Sequence, residues 1–172
     1  MGVIPVLLVT GPIGVGKSTV LLEADALLIA AGAGHATVEL EDIARCWTDA
    51  ANRDRAGFVN RNLAALWTSF ASLGATRLLL SGLIQHRSEL PAIADAVPGA
   101  ALTVVRLPAP LPVLERRIRR REPGPPEGEL DGAQWWSEHF ATERVEDHLV
   151  QSDDRGVEEI AREVLRVADW LP

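Results

Sequence analysis

A glycine-rich segment near the start of the chain constrains the fold more than any other feature. Residues 11–18 read GPIGVGKS and fit the phosphate-loop pattern G-x-x-x-x-G-K-[ST]. The apolar run at residues 3–9 precedes it, and residues 17–31 follow with a helical spacing of apolar side chains. A strand, a glycine-rich turn and a helix in this order form the context in which the pattern binds a nucleotide. The segment therefore predicts a nucleotide-binding strand–loop–helix unit.

Lys17 is the only lysine in the chain, and all other permanently basic side chains are arginine. A compact ammonium fits beneath terminal phosphates in a way that a planar guanidinium does not. We expect Lys17 to reach the β- and γ-phosphates, Ser18 to ligate Mg²⁺, and Thr19 to donate to an α-phosphate oxygen. The residues predicted to bind ATP through this loop are Gly11, Pro12, Ile13, Gly14, Val15, Gly16, Lys17, Ser18 and Thr19.

Length and composition limit the classes of function. The 172 residues carry a formal net charge of −7, which argues against non-specific binding to nucleic acid. Cys46 is the single cysteine, so no intramolecular disulfide can form. No apolar run reaches the roughly 18 residues that a membrane span requires, and no secretory leader is recognisable. We expect a cytoplasmic protein that binds neither nucleic acid nor a membrane.

Apolar runs alternate with helical patterns along the rest of the chain. Further strands are predicted at residues 36–40, 76–81, 102–107 and, more weakly, 148–151. Helices are predicted at residues 43–50, 58–73, 88–96, 111–121, 133–147 and 157–171, and residues 52–57 (NRDRAG) are predicted as a loop. Strands that alternate with helices indicate a parallel sheet covered on both faces. The sequence therefore predicts one α/β domain over residues 1–172, with three layers (α/β/α).

Acidic residues follow the predicted second strand. Glu39 and Glu41 lie two residues apart, so their side chains point to the same side of the strand end. Strand ends in a parallel sheet line the ligand crevice, which puts this pair near the phosphate loop. One glutamate can hold Mg²⁺, with Glu39 as our candidate, and the other can accept the proton of a substrate hydroxyl. Asp42 competes for the role of base, and its alternative is the N-cap of the helix at residues 43–50.

The predicted third strand ends in Ser81, at the position where many phosphate-loop proteins carry an aspartate. In GTPases and in motor proteins that aspartate organises the metal. Its absence argues against those two classes. It is compatible with small kinases that use acids on the second strand.

An arginine cluster is followed by a segment rich in proline and glycine. The cluster consists of Arg116, Arg117, Arg119, Arg120 and Arg121. Arg117 and Arg121 share one helix face. Residues 122–132 (EPGPPEGELDG) are predicted as a loop, so that a short lid would cover about residues 117–132. Arginines beside such a lid can stabilise a transferring phosphoryl group, and the alternative is a solvated helix end whose cations favour the helix dipole.

Together these segments resemble the small phosphate-loop kinases, a group that includes shikimate, gluconate and adenylylsulfate kinases and chloramphenicol phosphotransferase. The resemblance rests on GPIGVGKS, VELED, LERRIRRRE and DDRGVEEIAREVL and spans most of the chain. It implies an adenylate-kinase-like core, with a five-stranded parallel sheet in the order 2-3-1-4-5, and ATP and Mg²⁺ as cofactors. The D-x-D pair of the family would be Glu39-x-Glu41, and its R-x-x-x-R helix pattern matches Arg117 and Arg121. Its adenine-side loop would place Asp153 and Arg155 near the base.

The phosphate acceptor would bind between residue 41 and residue 73 and at the turn after the third strand. The candidate substrate residues are Glu41, Trp47, Arg61, Asn62, Gln85 and Arg87. Trp47 can stack on a substrate ring, or it can belong to the core. Arg61 and Arg87 can clamp an anionic group, or they can form surface ion pairs.

The first hypothesis for function is ATP- and Mg²⁺-dependent transfer of a phosphoryl group to a hydroxyl of a small metabolite or antibiotic. The candidate catalytic residues are Lys17, Glu39, Glu41, Asp42, Arg117 and Arg121. The alternatives are a nucleoside or nucleotide kinase, and a nucleotide-binding regulatory protein with little kinase activity. The partners would be ATP and a small-molecule acceptor, and the protein would be a monomer or a homodimer.

Overall fold

A parallel sheet forms the centre of the structure, a computed structural model that describes residues 2–120 and 127–171. Its strands are β1 (Ile4–Thr10), β2 (Ala36–Glu39), β3 (Leu78–Ser81), β4 (Ala100–Arg106) and β5 (His148–Leu149). The strand order is β2-β3-β1-β4-β5, with every pair parallel. This order confirms the one that the family resemblance implied. Arg121 and residues 122–126 of the predicted lid lie outside the described residues.

Helices cover both faces of this sheet, as the alternating sequence pattern predicts. They are α1 (Lys17–Ala30), α2 (Leu40–Ile43), α3 (Asp49–Arg53), α4 (Arg55–Ser72), α5 (Leu90–Asp95), α6 (Leu111–Arg119), α7 (Glu127–Thr142) and α8 (Val157–Val167), and a short 3-10 turn (Arg87–Glu89) precedes α5. None of the helices in the described parts of the chain combines the length and the apolar character needed to cross a membrane.

β1 is buried on both of its faces, which explains its uninterrupted apolar run. Leu7 and Val9 belong to a core cluster with apolar side chains of α1, α6 and α8. Val6 and Leu8 belong to a second cluster on the opposite face, with side chains of α4 and α5. The carboxyl end of β1, where the phosphate loop begins, is therefore held from two sides.

The helix predicted for residues 43–50 is wrong in its bounds. The chain forms α2, breaks after Ile43, and starts α3 after Thr48, whose hydroxyl accepts a hydrogen bond from the Ala51 amide at 3.2 Å. Asp54 then caps α4 by accepting from the Gly57 amide at 3.1 Å, so most of the loop predicted at residues 52–57 is helical. The predicted N-cap role of Asp42 is also wrong, because Asp42 lies within α2.

α7 begins at Glu127, so the loop predicted for residues 122–132 is wrong from residue 127 onward. The helix also ends at Thr142, earlier than the predicted residue 147. A Cβ atom at Gly132 would lie 2.8 Å from Ile13 Cδ1. The glycine that suggested a loop thus allows a helix to pack closely against the phosphate loop.

The segment after α7 is fastened to the sheet by two carboxylates. Arg106 Nε and Nη2 donate to Glu146 Oε2 and Oε1 at 2.9 and 3.0 Å, and the two side chains are only 12% and 6% exposed. Asp147 accepts from the Val104 amide at 2.9 Å and from Arg87 at 2.8 Å. Burial acts to raise the pKa of Glu146, but the hydrogen bond and charge of Arg106 together with hydrogen bonds from main-chain amides outweigh it and hold the pKa below its ordinary value.

We expect Glu146→Gln to lower the free energy of unfolding by about 3 kcal/mol at neutral pH, because the buried Arg106 loses its charged partner. The folded-state pKa of Glu146 is lowered, so its contribution is complete above the ordinary value of 4.5 and is lost as the pH falls below it. The difference between the variant and the wild type should therefore shrink toward acidic pH. Urea unfolding at a series of pH values measures this difference.

Glu158→Gln is the matched control, because Glu158 pairs with Arg162 at 2.8 Å on the surface, where the two side chains are 61% and 58% exposed. It should cost less than about 1 kcal/mol. Equal losses in the two variants would contradict the role given to the Arg106–Glu146 pair.

Candidate active site

The loop between β1 and α1 requires glycine at two positions for different steric reasons. Gly11 has a φ of +146°, and a Cβ there would lie 2.5 Å from the carbonyl oxygen of Leu107. Gly14 has a φ of +85°, and a Cβ there would lie 2.8 Å from Ile118 Cγ1. The loop is therefore closely packed against the residue that follows β4 and against α6. Its amides precede the N-terminus of α1, the arrangement that binds phosphate groups.

Lys17 and Ser18 open α1 and take up the positions that the phosphate-loop pattern predicts. Lys17 Nζ donates to the carbonyl oxygens of Gly11 and Pro12 at 3.1 and 3.4 Å, so its ammonium lies over the loop. Ser18 Oγ donates to Glu39 Oε2 at 2.6 Å. The predicted phosphate contact and both predicted metal ligands are thus brought together at one helix end.

A cavity of about 230 Å³ lies beside this helix end and is lined by the three candidate acids Glu39, Glu41 and Asp42. Arg45, which sequence reasoning did not single out, lines it as well, and its Nη2 pairs with Asp42 Oδ1 at 2.8 Å. Glu41 Oε1 accepts from the Leu83 amide at 2.9 Å, which ties α2 to the turn after β3. The acids at the end of β2 are thus at the phosphate loop, as the strand-end argument predicts.

The oxygen donors at this point fit Mg²⁺. Mg²⁺ in nucleotide sites is held by one or two protein oxygens together with phosphate oxygens and water, which suits the hydroxyl of Ser18 and the carboxylate of Glu39. In the described parts of the chain, no group of three or more His, Cys, Asp or Glu side chains could hold a metal ion by itself. A metal at Ser18 and Glu39 would therefore depend on the phosphates of a bound nucleotide.

A second cavity, of about 250 Å³, also borders the phosphate loop, and its lining includes Thr19, Arg117 and Arg155. Arg117 Nη1 donates to the carbonyl oxygen of Val15 at 2.7 Å, and Nη2 donates to that of Ser152 at 2.6 Å. Burial, and then the neighbouring Arg116, lower the pKa of Arg117 from its ordinary value. Arg117 therefore joins the phosphate loop directly to the loop that the resemblance assigns to the base.

Arg155 and Asp153 differ in their placement at this second cavity. Arg155 lines it, and its guanidinium pairs with Glu159 at 2.8 Å and Glu163 at 2.6 Å and donates to the carbonyl oxygen of Gln151 at 3.1 Å. Asp153 is half-buried, and its negative charge near Arg117 acts to raise the pKa of that arginine. Ion pairs to α8 thus hold Arg155 at the edge of the cavity.

A third and larger cavity, of about 660 Å³, opens between α2, α4, the turn after β3 and α5. Glu41 and Gln85 line it, as predicted for the acceptor side. Among the described residues, Glu41 is the one side chain that lines both this cavity and the smaller one at Lys17 and Ser18. A hydroxyl bound beside Glu41 would therefore lie where the two cavities meet.

Two candidate acceptor residues on α4 have other partners. Arg61 Nη1 pairs with Asp54 Oδ2 at 3.0 Å, and both side chains are exposed. Asn62 Nδ2 donates to the carbonyl oxygen of Ile43 at 2.8 Å, which joins α4 to the end of α2. Neither residue lines the large cavity.

Trp47 and Arg87 also lie outside the lining of the large cavity. Arg87 donates to Asp147 and to the carbonyl oxygen of Val145, so it forms the predicted alternative of an ion pair. Trp47 is 81% exposed, so it is not part of the core, and the guanidinium of Arg55 lies 4.9 Å from its ring centroid.

Arg55 and Asn60 line the large cavity, and sequence reasoning missed both. For Arg55 the cause is the loop predicted at residues 52–57, which put the start of this helix three residues too late, whereas Asn60 lay within the predicted helix but was not singled out. Asp54 followed by RAGF is an N-cap signal that would have placed the start at Arg55. Helical spacing then puts Ala56, Val59 and Asn60 on one face.

The sequence comparisons and the structure comparisons give different results. No protein-family model matches the chain, and no curated protein matches it. Among solved structures, a sugar kinase from Janibacter sp. HTCC2649 is similar with a TM-score of 0.69 and 20% identity, covering 98% of this chain and 96% of that one. A gluconokinase from Sinorhizobium meliloti 1021 is similar with a TM-score of 0.63 and 21% identity, covering 98% and 94%.

An APS kinase from Mycobacterium tuberculosis, solved in complex with AMPPNP and APS, is similar with a TM-score of 0.59 and 21% identity, covering 98% of this chain and 99% of that one. These neighbours are small phosphate-loop kinases, and the likeness extends over nearly the whole chain. The chain therefore has the fold of the small phosphate-loop kinases.

We expect Arg117→Met to weaken binding of the ATP analogue AMPPNP by about tenfold, because it removes the charged hydrogen bonds to Val15 and Ser152. Arg116→Met is the matched control, because Arg116 is exposed and directly precedes Arg117 on the same helix. This variant should leave the affinity nearly unchanged. Titration calorimetry gives both dissociation constants. Similar constants for the two variants would show that Arg117 does not organise the nucleotide site.

Proposed function

We propose that this chain transfers the γ-phosphoryl group of ATP to a hydroxyl group of a small molecule, with Mg²⁺ as cofactor. One observation carries the proposal, which is that Glu41 lines both the cavity at the phosphate loop and the larger cavity beyond it. Structural neighbours support the same chemistry, since they include kinases solved with AMPPNP and APS and with shikimate.

The phosphate loop would hold ATP through its amides and through the ammonium of Lys17. Bound Mg²⁺ would neutralise charge on the β- and γ-phosphates, and Ser18 and Glu39 would hold it. Arg117 and Arg155 line the cavity of about 250 Å³ where the nucleoside part would bind. Asp153 would lie close to them on the loop that follows β5.

Glu41 is the general base that the geometry favours. One of its carboxylate oxygens accepts from the Leu83 amide and fixes the group, and the other can accept a proton from the acceptor hydroxyl. The hydroxyl oxygen then bonds to the γ-phosphorus, the bond to the bridging oxygen breaks, and ADP leaves. Asp42 is less suited to this step because it lines only the smaller cavity and not the larger one in which the acceptor would bind.

Charge on the transferring group needs cations besides Lys17. Arg45 is well placed, because it lines the same cavity as Lys17 and its ion pair is with the exposed Asp42, which it can leave at little cost. The family pattern adds Arg121, and this part of the proposal rests on the sequence alone. Together these residues would supply positioning and charge neutralisation, which is most of what phosphoryl transfer requires.

The proposal is tested by measuring ADP release from ATP and Mg²⁺ across a panel of hydroxyl compounds that includes sugars, sugar acids, nucleosides and antibiotics. Acceptor-dependent release that disappears in Lys17→Ala would support it. A correctly folded wild type that binds AMPPNP but releases ADP with no acceptor would instead favour the regulatory alternative. Turnover restricted to nucleosides or nucleotides would favour the nucleoside kinase alternative.

We expect Glu41→Gln to lower kcat by about 10²- to 10⁴-fold, because the amide cannot accept the proton of the hydroxyl. The KM for ATP should change little, since the hydrogen bond that fixes Glu41 comes from the turn after β3 and not from the phosphate loop. Asp42→Asn is the matched comparison and should lower kcat much less. Steady-state kinetics with an acceptor identified in the ADP-release panel measure both losses in kcat. A larger loss in Asp42→Asn would move the role of base to Asp42.

A further inference from the structure

The walls of the acceptor cavity are mainly apolar. More than half of its described lining residues carry aliphatic side chains, among them Val59, Leu83, Ile84 and Ile93. Its volume of about 660 Å³ is more than twice the 250 Å³ of the cavity beside Arg117. Cavities of about 300–1,000 Å³ with apolar walls and a few polar groups are typical of sites for drug-sized molecules.

The charged groups on these walls have a negative balance. Glu41 and Glu89 are the carboxylates among the described lining residues, and Arg55 is the one guanidinium. Glu89 Oε1 accepts from the amides of Gln85 and His86 at 2.9 and 2.7 Å, which fixes it in place. The described walls therefore contain two acids against one base, which disfavours an anionic ligand.

The single guanidinium on the described walls is already engaged. Arg55 Nη1 donates to the carbonyl oxygen of Cys46 at 2.8 Å, and the group lies over the exposed ring of Trp47. A carboxylate or phosphate is best recognised by a guanidinium that presents two donors in parallel. Arg55 would have to give up contacts to do so, and no second arginine among the described lining residues could assist it.

We propose that the acceptor is a neutral hydroxyl compound with an extended apolar body, and not a small sugar acid or another anion. This inference rests on the proposed function, because it takes the large cavity to be the acceptor site. The hydroxyl lies at the Glu41 end, and the apolar body lies along the wall formed by Val59 and Ile93. Asn60 and Gln85 supply polar contacts that orient the body.

Three test compounds separate the contribution of ligand charge to the binding affinity from that of the apolar body. 3-Phenyl-1,2-propanediol has an aromatic body and hydroxyl groups, 3-phenyllactate replaces one hydroxymethyl group by a carboxylate, and glycerol lacks the ring. Calorimetric or NMR titration is done in the presence of AMPPNP and Mg²⁺. The diol should bind about tenfold more tightly than either of the other two, since desolvation of an anion is unfavourable and glycerol buries little apolar surface. Equal or tighter binding of 3-phenyllactate, or binding of neither aromatic compound, would overturn the inference.

Two variants test whether the binding takes place in this cavity. Val59→Thr adds a hydroxyl to the apolar wall with little change in shape and should weaken binding of the diol about threefold to tenfold. Ala65→Ser adds a hydroxyl on the exposed face of the same helix and should have no effect. Loss of affinity in both variants, or in neither, would place the diol elsewhere and count against the inference.

A positive charge introduced at the rim of the cavity tests whether charge excludes anions from it. Ala92 is an exposed lining residue on α5, and Ala92→Arg should raise the affinity for 3-phenyllactate about threefold. Ala92→Gln controls for side-chain size and should not raise it. An unchanged affinity in Ala92→Arg would contradict the argument that charge excludes anions from the site.

Failure of this inference differs from failure of the proposed function. If the diol binds but no hydroxyl compound is phosphorylated, the character of the cavity stands and the kinase activity does not. If a sugar acid is phosphorylated efficiently, the kinase activity stands and the inference about the acceptor fails.

Discussion

Burial of β1 between two helical layers is the constraint on which the rest of the site depends. Leu7 and Val9 of β1 belong to the core cluster on one face of the sheet, and Val6 and Leu8 belong to the cluster on the other face. The main chain of β1 pairs with β3 on one side and β4 on the other. A strand held in this way ends at a fixed point, and the phosphate loop, the acids after β2 and the turn after β3 all lie around that end.

Glu39 on β2 reaches the phosphate loop although the neighbouring strand β3 ends in a serine and not in an acid. In the sheet register Glu39 of β2 lies beside Ser81 of β3, and the Glu39 carboxylate reaches Ser18 across the end of the sheet. The Ser18 hydroxyl donates to this carboxylate at 2.6 Å, so a glutamate in the second-strand pair still contacts the end of the phosphate loop.

Local patterns in the sequence were sufficient to predict which residues come together at the phosphate loop, the proposed donor half of the site. The glycines, Lys17 and Ser18 occupy consecutive positions, and Arg117 lies between the buried Leu114 and Ile118 on one helix, so spacing alone indicates where each side chain points. The acceptor half could not be predicted in the same way. Its walls come from α2, α4, α5 and a turn, and the sequence alone does not show which face of α4 turns toward them, so Asn62 was predicted and Asn60 was not. One residue on a helix turns a side chain by about 100°, which is enough to move it from the cavity to another contact.

The two halves of the site also differ in the kind of contact that forms them. The donor half relies on main-chain groups, since Lys17, Arg117 and the loop glycines all act on or through carbonyl and amide groups of the chain. The acceptor half relies on aliphatic side chains, and substitutions there can change the ligand without disturbing β1 or the phosphate loop. Glu41 belongs to both halves, because the Leu83 amide fixes it from the acceptor side while its carboxylate borders the cavity of Lys17. In the proposed function a base fixed in this way can serve different acceptors, so the walls beyond it would determine most of the specificity.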